Sequence, residues 1–230
     1  YRAGGGPYLQ VLQALAQACS ARRVLEIGAG TGNNTAAFLR AYPCMLIGLD
    51  KSWAMLSRAV HKDIPARWVQ GDALHLPLKS ASVDFVFGVL VLHHIPDLPG
   101  LAAECARVLK RGSAAFVTSP HDFIDRHPMN QYFPSFARID KARFPSIEAV
   151  QTALKDAGFA ETGAERAIAD PIPIDRAYLE KVEHKFISTY DLIPPEEYAS
   201  GLARLRADIE PHGCLNVSLR WECVTVWGRI

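Results

Sequence analysis

Val24-Leu25-Glu26-Ile27-Gly28-Ala29-Gly30-Thr31-Gly32-Asn33-Asn34-Thr35 is the stretch whose reading decides the fold. An apolar strand runs into three glycines at alternate positions and then into a helix. Glycine at 28, 30 and 32 removes Cβ atoms where the backbone turns sharply and must approach a ligand, and it permits positive φ. The spacing is Gly-x-Gly-x-Gly, which differs from the Gly-x-Gly-x-x-Gly of a dinucleotide fingerprint. A nucleoside-bearing ligand is expected at the carboxyl end of this strand.

Outward from that turn, residues 7 to 120 alternate helical periodicity with short apolar runs, the pattern of a parallel sheet covered by helices on both faces. Leu9, Leu12, Leu15 and Ala16 predict an opening helix, Asn33 to Ala41 the helix after the glycines, and Met45 to Leu49 a second strand with Asp50 at its end. Ser52 is placed to cap a helix through about His61, and Ala66 to Gln70 reads as a third strand. Val83 to Val89 is apolar apart from Asp84, as expected of a strand buried on both faces. Leu98 to Leu109 has helical periodicity and is predicted to stop at Lys110-Arg111-Gly112, with Ala114 to Thr118 as the fifth strand.

Beyond Pro120 the periodicity weakens, and residues 121 to 145 read as an inserted loop or lid. Ser146 caps a predicted helix to about Ala157 with Gly158 as its stop, and a sixth strand is expected within Ala160 to Ala169. Residues 174 to 189 and 195 to 209 read as two amphipathic helices around Pro194-Pro195, and Leu219 to Ile230 as a last strand closing the sheet edge. The expected fold is therefore α/β, a doubly wound and mostly parallel seven-stranded sheet. It forms one domain over 1–230, with insertions at 121–145 and 173–215 after the fifth and sixth strands.

Composition narrows the partners. At 230 residues with 49% hydrophobic residues, the chain can bury one substantial core. Its 25 basic and 24 acidic residues leave a net charge of +1, without the footprint of a nucleic-acid or acidic-membrane binder, so a small-molecule substrate is expected. Cys19, Cys44, Cys105, Cys214 and Cys223 form no Cys-x-x-Cys pair, which suggests neither a disulfide framework nor a metal site and favours a reducing cytoplasm. No apolar run approaches the roughly eighteen residues of a membrane span. The first twenty residues lack a signal pattern, and a start at Tyr1 suggests a missing native N-terminus.

Four features recur at successive strand ends: Glu26 with the glycines, Asp50, Gly71-Asp72-Ala73, and the block Val83-Asp84-Phe85-Val86-Phe87-Gly88-Val89-Leu90-Val91-Leu92-His93-His94-Ile95-Pro96-Asp97. In this order they resemble the class I S-adenosylmethionine-dependent methyltransferases, and in particular their small-molecule, ubiquinone/menaquinone-type subgroup. The likeness covers residues 24 to about 118. It implies that the turn from Gly28 through Ala29, Gly30, Thr31 and Gly32 to Asn33 passes beneath the methionine and ribose of the methyl donor. Glu26 would engage backbone or water near the donor's amino group, or else pin the loop as a buried carboxylate. Asp50, with Lys51 and Met55 following it, would accept the ribose hydroxyls, an acidic role also found in NAD enzymes. Asp72 beside Gly71 would accept the adenine amino group, Ala73 would leave room for the ring, and Gly88 and Val89 would approach the sulfonium. No Asn-Pro-Pro-Tyr or Asp-Pro-Pro-Tyr block follows the fourth strand, which disfavours methylation of exocyclic base nitrogens.

Methyl transfer from a sulfonium is an in-line displacement that needs alignment and, for some acceptors, a base. His94 is the candidate base because it follows the fourth strand closely; the alternative is a hydrogen bond to a loop carbonyl or to the cofactor. His121, Phe123, His127, Tyr132 and Phe133 are candidates for the acceptor site, or else for ordinary packing of the insertion. The expected activity is transfer from S-adenosylmethionine to an O, N or C nucleophile of a metabolite, with S-adenosylhomocysteine as product. The competing readings are an NAD-dependent oxidoreductase, a catalytically silent S-adenosylmethionine-binding regulator, and an RNA or protein methyltransferase. Sequence leaves the oligomeric state open.

Overall fold

The computed structural model describes residues 5–230, so Tyr1 lies outside the described residues. The first half follows the expected order: α1 (Tyr8–Ala18), β1 (Arg23–Ile27), α2 (Asn33–Ala41), β2 (Met45–Asp50), α3 (Trp53–Val60), β3 (Arg67–Gln70), β4 (Val83–Val89), α4 (Leu98–Val108) and β5 (Leu109–Thr118). Later come α5 (His121–Arg126), α6 (Phe136–Arg143), α7 (Ile147–Asp156), β6 (Glu161–Ile168), β7 (Ile172–Asp175), α8 (Arg176–Glu183), α9 (Thr189–Leu192), α10 (Pro195–Ile209), β8 (Cys214–Leu219) and β9 (Glu222–Arg229). The main sheet has seven strands in the order β3-β2-β1-β4-β5-β9-β6. β1 pairs in parallel with both β2 and β4, so strand order reverses at its flank. Ligands of open α/β sheets bind at such a switch point, beyond the carboxyl ends of the strands. The glycine turn leaves β1 there.

Local chemistry explains where the helices begin and stop. The Ser52 hydroxyl accepts from Met55 N, and the Asp97 carboxylate accepts from Gly100 N. Ser146 Oγ accepts from Ala149 N, and Gly158 at φ +96° ends the turn after α7. Replacing Ser146 by alanine should cost about 1 kcal/mol and lower the melting temperature by about 2–4 °C. No change in a thermal scan would mean that the cap is idle.

β4 organises packing on both sheet faces, as its alternation requires. Phe85 and Phe87 stack against Phe38 of α2, with the Phe38 and Phe87 centroids 4.9 Å apart. Val86 packs on the opposite side with Leu101 and Cys105 of α4 and Val150 and Leu154 of α7. Asp84, the acid within this apolar run, accepts from the backbone N–H groups of Arg22 and Arg23 and so satisfies the start of β1.

Several expectations are corrected. α4 stops at Val108 and the chain passes directly into β5, so Lys110-Arg111-Gly112 is strand, not a helix stop. Leu109 is buried and pairs with Val83, and the register shifts between Val83 and Phe85. At that irregularity a Cβ on Gly112 would lie 1.9 Å from the Asp84 carbonyl oxygen, so close backbone approach requires glycine. Leu219 belongs to β8, and β9 does not close the edge: it runs between β5 and β6, antiparallel to β5. Its buried Cys223, Val224, Thr225 and Val226 are what an interior strand presents, whereas β6 is the largely exposed edge.

Residues 121–145 are helical instead of loop, and the predicted helix at 174–189 divides into β7, α8 and α9. β7 and β8 form a separate two-stranded sheet. The chain separates into two compact units. One holds the described residues through Thr118 with Pro145–Ala167 and Cys223–Ile230; the other holds Ser119–Phe144 and Ile168–Glu222. The second unit has its own core, in which Phe133, Phe136, Tyr190, Leu205 and Ile209 are buried.

Candidate functional site: the carboxyl ends of β1 to β4

Gly28, Gly30 and Gly32 all adopt left-handed backbone, at φ +72°, +56° and +76°. Their surroundings differ. A Cβ at Gly28 would lie 2.4 Å from Val91 Cγ2, and one at Gly32 would lie 2.8 Å from Ile64 and Trp68; one at Gly30 would meet nothing within 4 Å. The outer glycines are thus demanded by the protein's own packing, whereas the middle one borders open space. The turn is anchored to β2, since Gly28 N and Ala29 N donate to Leu49 O. Asp50 completes the anchor: Oδ2 accepts from Gly30 N at 2.7 Å and Oδ1 from Ser52 N at 2.8 Å.

Glu26 lies fully buried beneath the turn. Its Oε2 accepts from the Thr35 hydroxyl on α2, and Oε1 is buried without a hydrogen-bond partner among the described residues. Desolvation pushes the carboxyl up to about 8, the Thr35 bond opposes this, and the nearby Asp50 charge adds to it. The carboxyl is therefore mostly protonated at neutral pH, ready to ionise beside a cation.

The ends of β2 and β3 bring Lys51 and Asp72 together, with Nζ to Oδ2 at 3.0 Å. Asp72 Oδ1 accepts from Leu74 N, and this bond, then Lys51, holds the carboxyl below its ordinary value. Gly71 N donates to Asp50 O, Ala73 is buried beside it, and Met55 is exposed on the first turn of α3. Gly88 lies opposite Ile27 and is followed by buried Val89. The space a Cβ would need at Gly88 is filled by Val91, at 2.7 Å.

Val91 and Lys62 are the partners that sequence reasoning missed. Val91 fills the space beside both Gly28 and Gly88. Lys62 Nζ, just beyond α3, donates to Thr31 O at 2.8 Å and to Asn33 Oδ1 at 2.6 Å. No local signal marks a lysine after a helix as a partner of a turn thirty residues earlier. His94 is exposed in a 3-10 turn over Leu92–His94, its ring centroid 4.0 Å from that of His93.

His121, Phe123, His127, Tyr132 and Phe133 belong to the second unit, whereas His94 and the glycine turn belong to the first. The His121 ring Nε2 lies 2.8 Å from Phe144 O. His127 is buried, accepts from Met129 N and stacks on Phe136, and burial lowers its imidazole to about 4, leaving it neutral. Phe123, Tyr132 and Phe133 are buried in the core of that unit, with Tyr132 Oη donating to Asp208. Among the described residues no group of three His, Cys, Asp or Glu side chains could hold a metal ion, and no helix is long and apolar enough to cross a membrane.

Comparison with known proteins agrees with this fold. Residues 25–117 match the methyltransferase domain family. The biotin biosynthesis bifunctional protein BioHC of Cellvibrio japonicus is 34% identical over 153 residues, covering 65% of this chain and 30% of that protein. Trans-aconitate 2-methyltransferase of Deinococcus radiodurans is 36% identical over 115 residues, covering 48% and 43%. The matches therefore span less than half the length of these relatives. Over nearly the whole chain the fold is similar to a protein assigned as a methyltransferase from an antibiotic biosynthesis pathway of Anabaena variabilis. The TM-score is 0.74 at 20% identity, with 96% and 97% of the two chains covered. The family match covers residues 25–117, and within it the glycine turn, Asp50 and Asp72 stand at or just beyond the carboxyl ends of β1, β2 and β3 of this sheet.

Proposed function

We propose that the chain binds S-adenosylmethionine at the carboxyl ends of β1 to β4 and transfers its methyl group to an oxygen, nitrogen or carbon nucleophile of a small molecule. The observation that carries this reading is the open space beside Gly30, bordered by a turn that Asp50 holds in left-handed backbone. A cationic donor also suits Glu26, whose buried and unpartnered Oε1 would gain an opposite charge nearby. Bound S-adenosylmethionine would supply an electrophilic methyl group with a neutral thioether as leaving group.

The residues of this chain then bind and align. Asp50 offers its remaining lone pairs to the ribose hydroxyls, and Asp72 accepts from the adenine amino group beside Ala73. The Gly28–Gly32 turn supports the methionine end with Glu26 beneath it, and Gly88 and Val89 lie toward the sulfonium. His94 takes a proton where the acceptor must lose one. We place acceptor selection in the insertions at 121–145 and 173–215, where buried Phe123, His127, Tyr132 and Phe133, with His121, shape the second unit from within, and we place the chain in the small-molecule, ubiquinone/menaquinone-type subgroup of the class I methyltransferases. A net charge of +1 supports a small molecule over a polyanion, and five free thiols suit a reducing cytoplasm.

Titration calorimetry with S-adenosylhomocysteine and with NAD tests the reading, and preferential binding of NAD would overturn it. Gly30→Ala should cost about 1–2 kcal/mol of stability, from φ alone. It should weaken S-adenosylhomocysteine binding by at least about tenfold, because the new methyl group enters the donor's space. Unchanged affinity would remove the donor from Gly30.

A further inference from the structure

The segment that follows Asp72 has no helix or strand of its own until β4, yet it carries Asp72 and Ala73. Within it, His75 N donates to Asp72 O, Leu74 N to Asp72 Oδ1, Leu78 N to Leu76 O and Ser82 Oγ to Lys79 O. From Leu76 onward it is also held from α4. The Glu104 carboxylate accepts from Leu76 N at 2.6 Å. The Arg107 guanidinium donates through Nη2 to Leu76 O at 2.9 Å and through Nη1 to Leu78 O at 2.8 Å.

The two side chains also hold each other. Arg107 Nε and Nη2 meet Glu104 Oε1 and Oε2 at 2.6 and 2.8 Å, a two-point pair one helical turn apart. This pairing uses the planar fork of arginine, and a lysine ammonium cannot meet two carbonyls and a carboxylate edge at once. The pair is partly shielded, with 34% of the Arg107 and 19% of the Glu104 side chain exposed. Arg107 also holds Glu104 ionised, below its ordinary value. Further along, Ala81 N and Ser82 N donate to the Arg107 and Val108 carbonyls, so the loop is fastened to α4 up to the start of β4.

We propose that Glu104 and Arg107 are positioning residues for donor binding: by gripping both backbone faces of Leu76 and the Leu78 carbonyl, they set the loop shape that presents Asp72 and Ala73 to the adenine end. This rests on the donor reading above. A merely structural pair would lower stability and leave ligand affinity untouched. A positioning pair weakens affinity for any ligand that carries the adenosine moiety.

The test compares wild type, Arg107→Lys, Arg107→Leu and Glu104→Gln by thermal melting and by calorimetric titration with S-adenosylhomocysteine and, separately, adenosine. Arg107→Leu should lose about tenfold or more in affinity for both ligands. Arg107→Lys and Glu104→Gln should lose a smaller factor, equal for the two ligands. Should Arg107→Leu fail to fold, the two milder variants carry the comparison. Folded variants with lowered melting temperature but affinities within about twofold of wild type would overturn the proposal. A loss confined to S-adenosylhomocysteine would also overturn it, because it would place the effect at the amino-acid end. If wild type binds neither ligand, the donor reading itself fails and the positioning role falls with it; if wild type binds both and the variants match it, only the positioning role falls.

Discussion

Gly112→Ala is expected to destabilise the chain by about 4 kcal/mol and to lower its melting temperature by about 8–16 °C. The new Cβ would sit 1.9 Å from the carbonyl oxygen of Asp84, far inside contact distance, at the register shift between β4 and β5. Asp84 cannot retreat cheaply. Its side chain accepts from Arg22 N and Arg23 N, and buried Val83 and Phe85 flank it. Gly112 is held from its other side as well, since its carbonyl accepts from Ile230 N. Gly158→Ala is the control: φ there is +96°, but nothing lies within 4 Å of the added methyl group, so only the backbone penalty of about 1–2 kcal/mol applies. Equal melting temperatures for the two variants would contradict the close approach.

The second large effect concerns pH and Glu26. Burial raises the folded-state carboxyl to about 8, whereas the unfolded chain titrates near its ordinary value of 4.5. Between those values the folded protein keeps a proton that the unfolded chain has released, so stability falls as pH rises from about 4.5 to about 8 and then levels. The integrated loss is on the order of 4 kcal/mol. Glu26→Gln removes it. Without ligand the variant should melt higher than wild type at pH 8, with the difference vanishing toward pH 4.5. His127, depressed to about 4 by burial, contributes in the opposite sense: its part is complete above 6.5 and is lost as pH falls toward 4. Taking the difference between wild type and Glu26→Gln cancels that contribution. A parallel pH dependence for the two proteins would contradict a protonated Glu26. With a cationic donor the carboxylate becomes the favoured form, so binding at pH 7 should release a proton, seen as a buffer-dependent heat. Glu26→Gln should lose that release.

What sequence revealed was governed by local chemistry. The glycine turn, the Ser52 and Ser146 caps, and the apolar run of β4 are short-range signals, and each appears where its residues indicated. Gly112 misled because a glycine after basic residues is a good helix stop, and the close approach that requires it comes from Asp84 on another strand. The place of β9 in the sheet is equally nonlocal, since alternation identifies a strand without naming its neighbours. The second unit was least legible. α5 and α9 are too short to show a periodicity, and β7 is four residues long and contains Pro173. In the site, Asp50 is singled out by its spacing from the glycines and Asp72 by the resemblance; the structure shows Asp50 bonded to Gly30 N and Ser52 N, and Asp72 to Lys51 and Leu74 N. Lys62, Val91 and the grip of Glu104 and Arg107 on Leu76 depend on contacts across the fold.

The position of β9 imposes an order on biosynthesis. β5 is complete at Thr118, but its neighbour on that side ends at Arg229, and all of the second unit except its final residue, Glu222, is translated in between. At about 5–20 residues per second, the exposed flank of β5 waits on the order of ten seconds for its partner. During that interval β5 presents unpaired backbone and apolar side chains on a half-built sheet. A nascent chain stalled before Glu222 should therefore be the form most prone to aggregate or to recruit a chaperone, and release of the last strand should end that susceptibility.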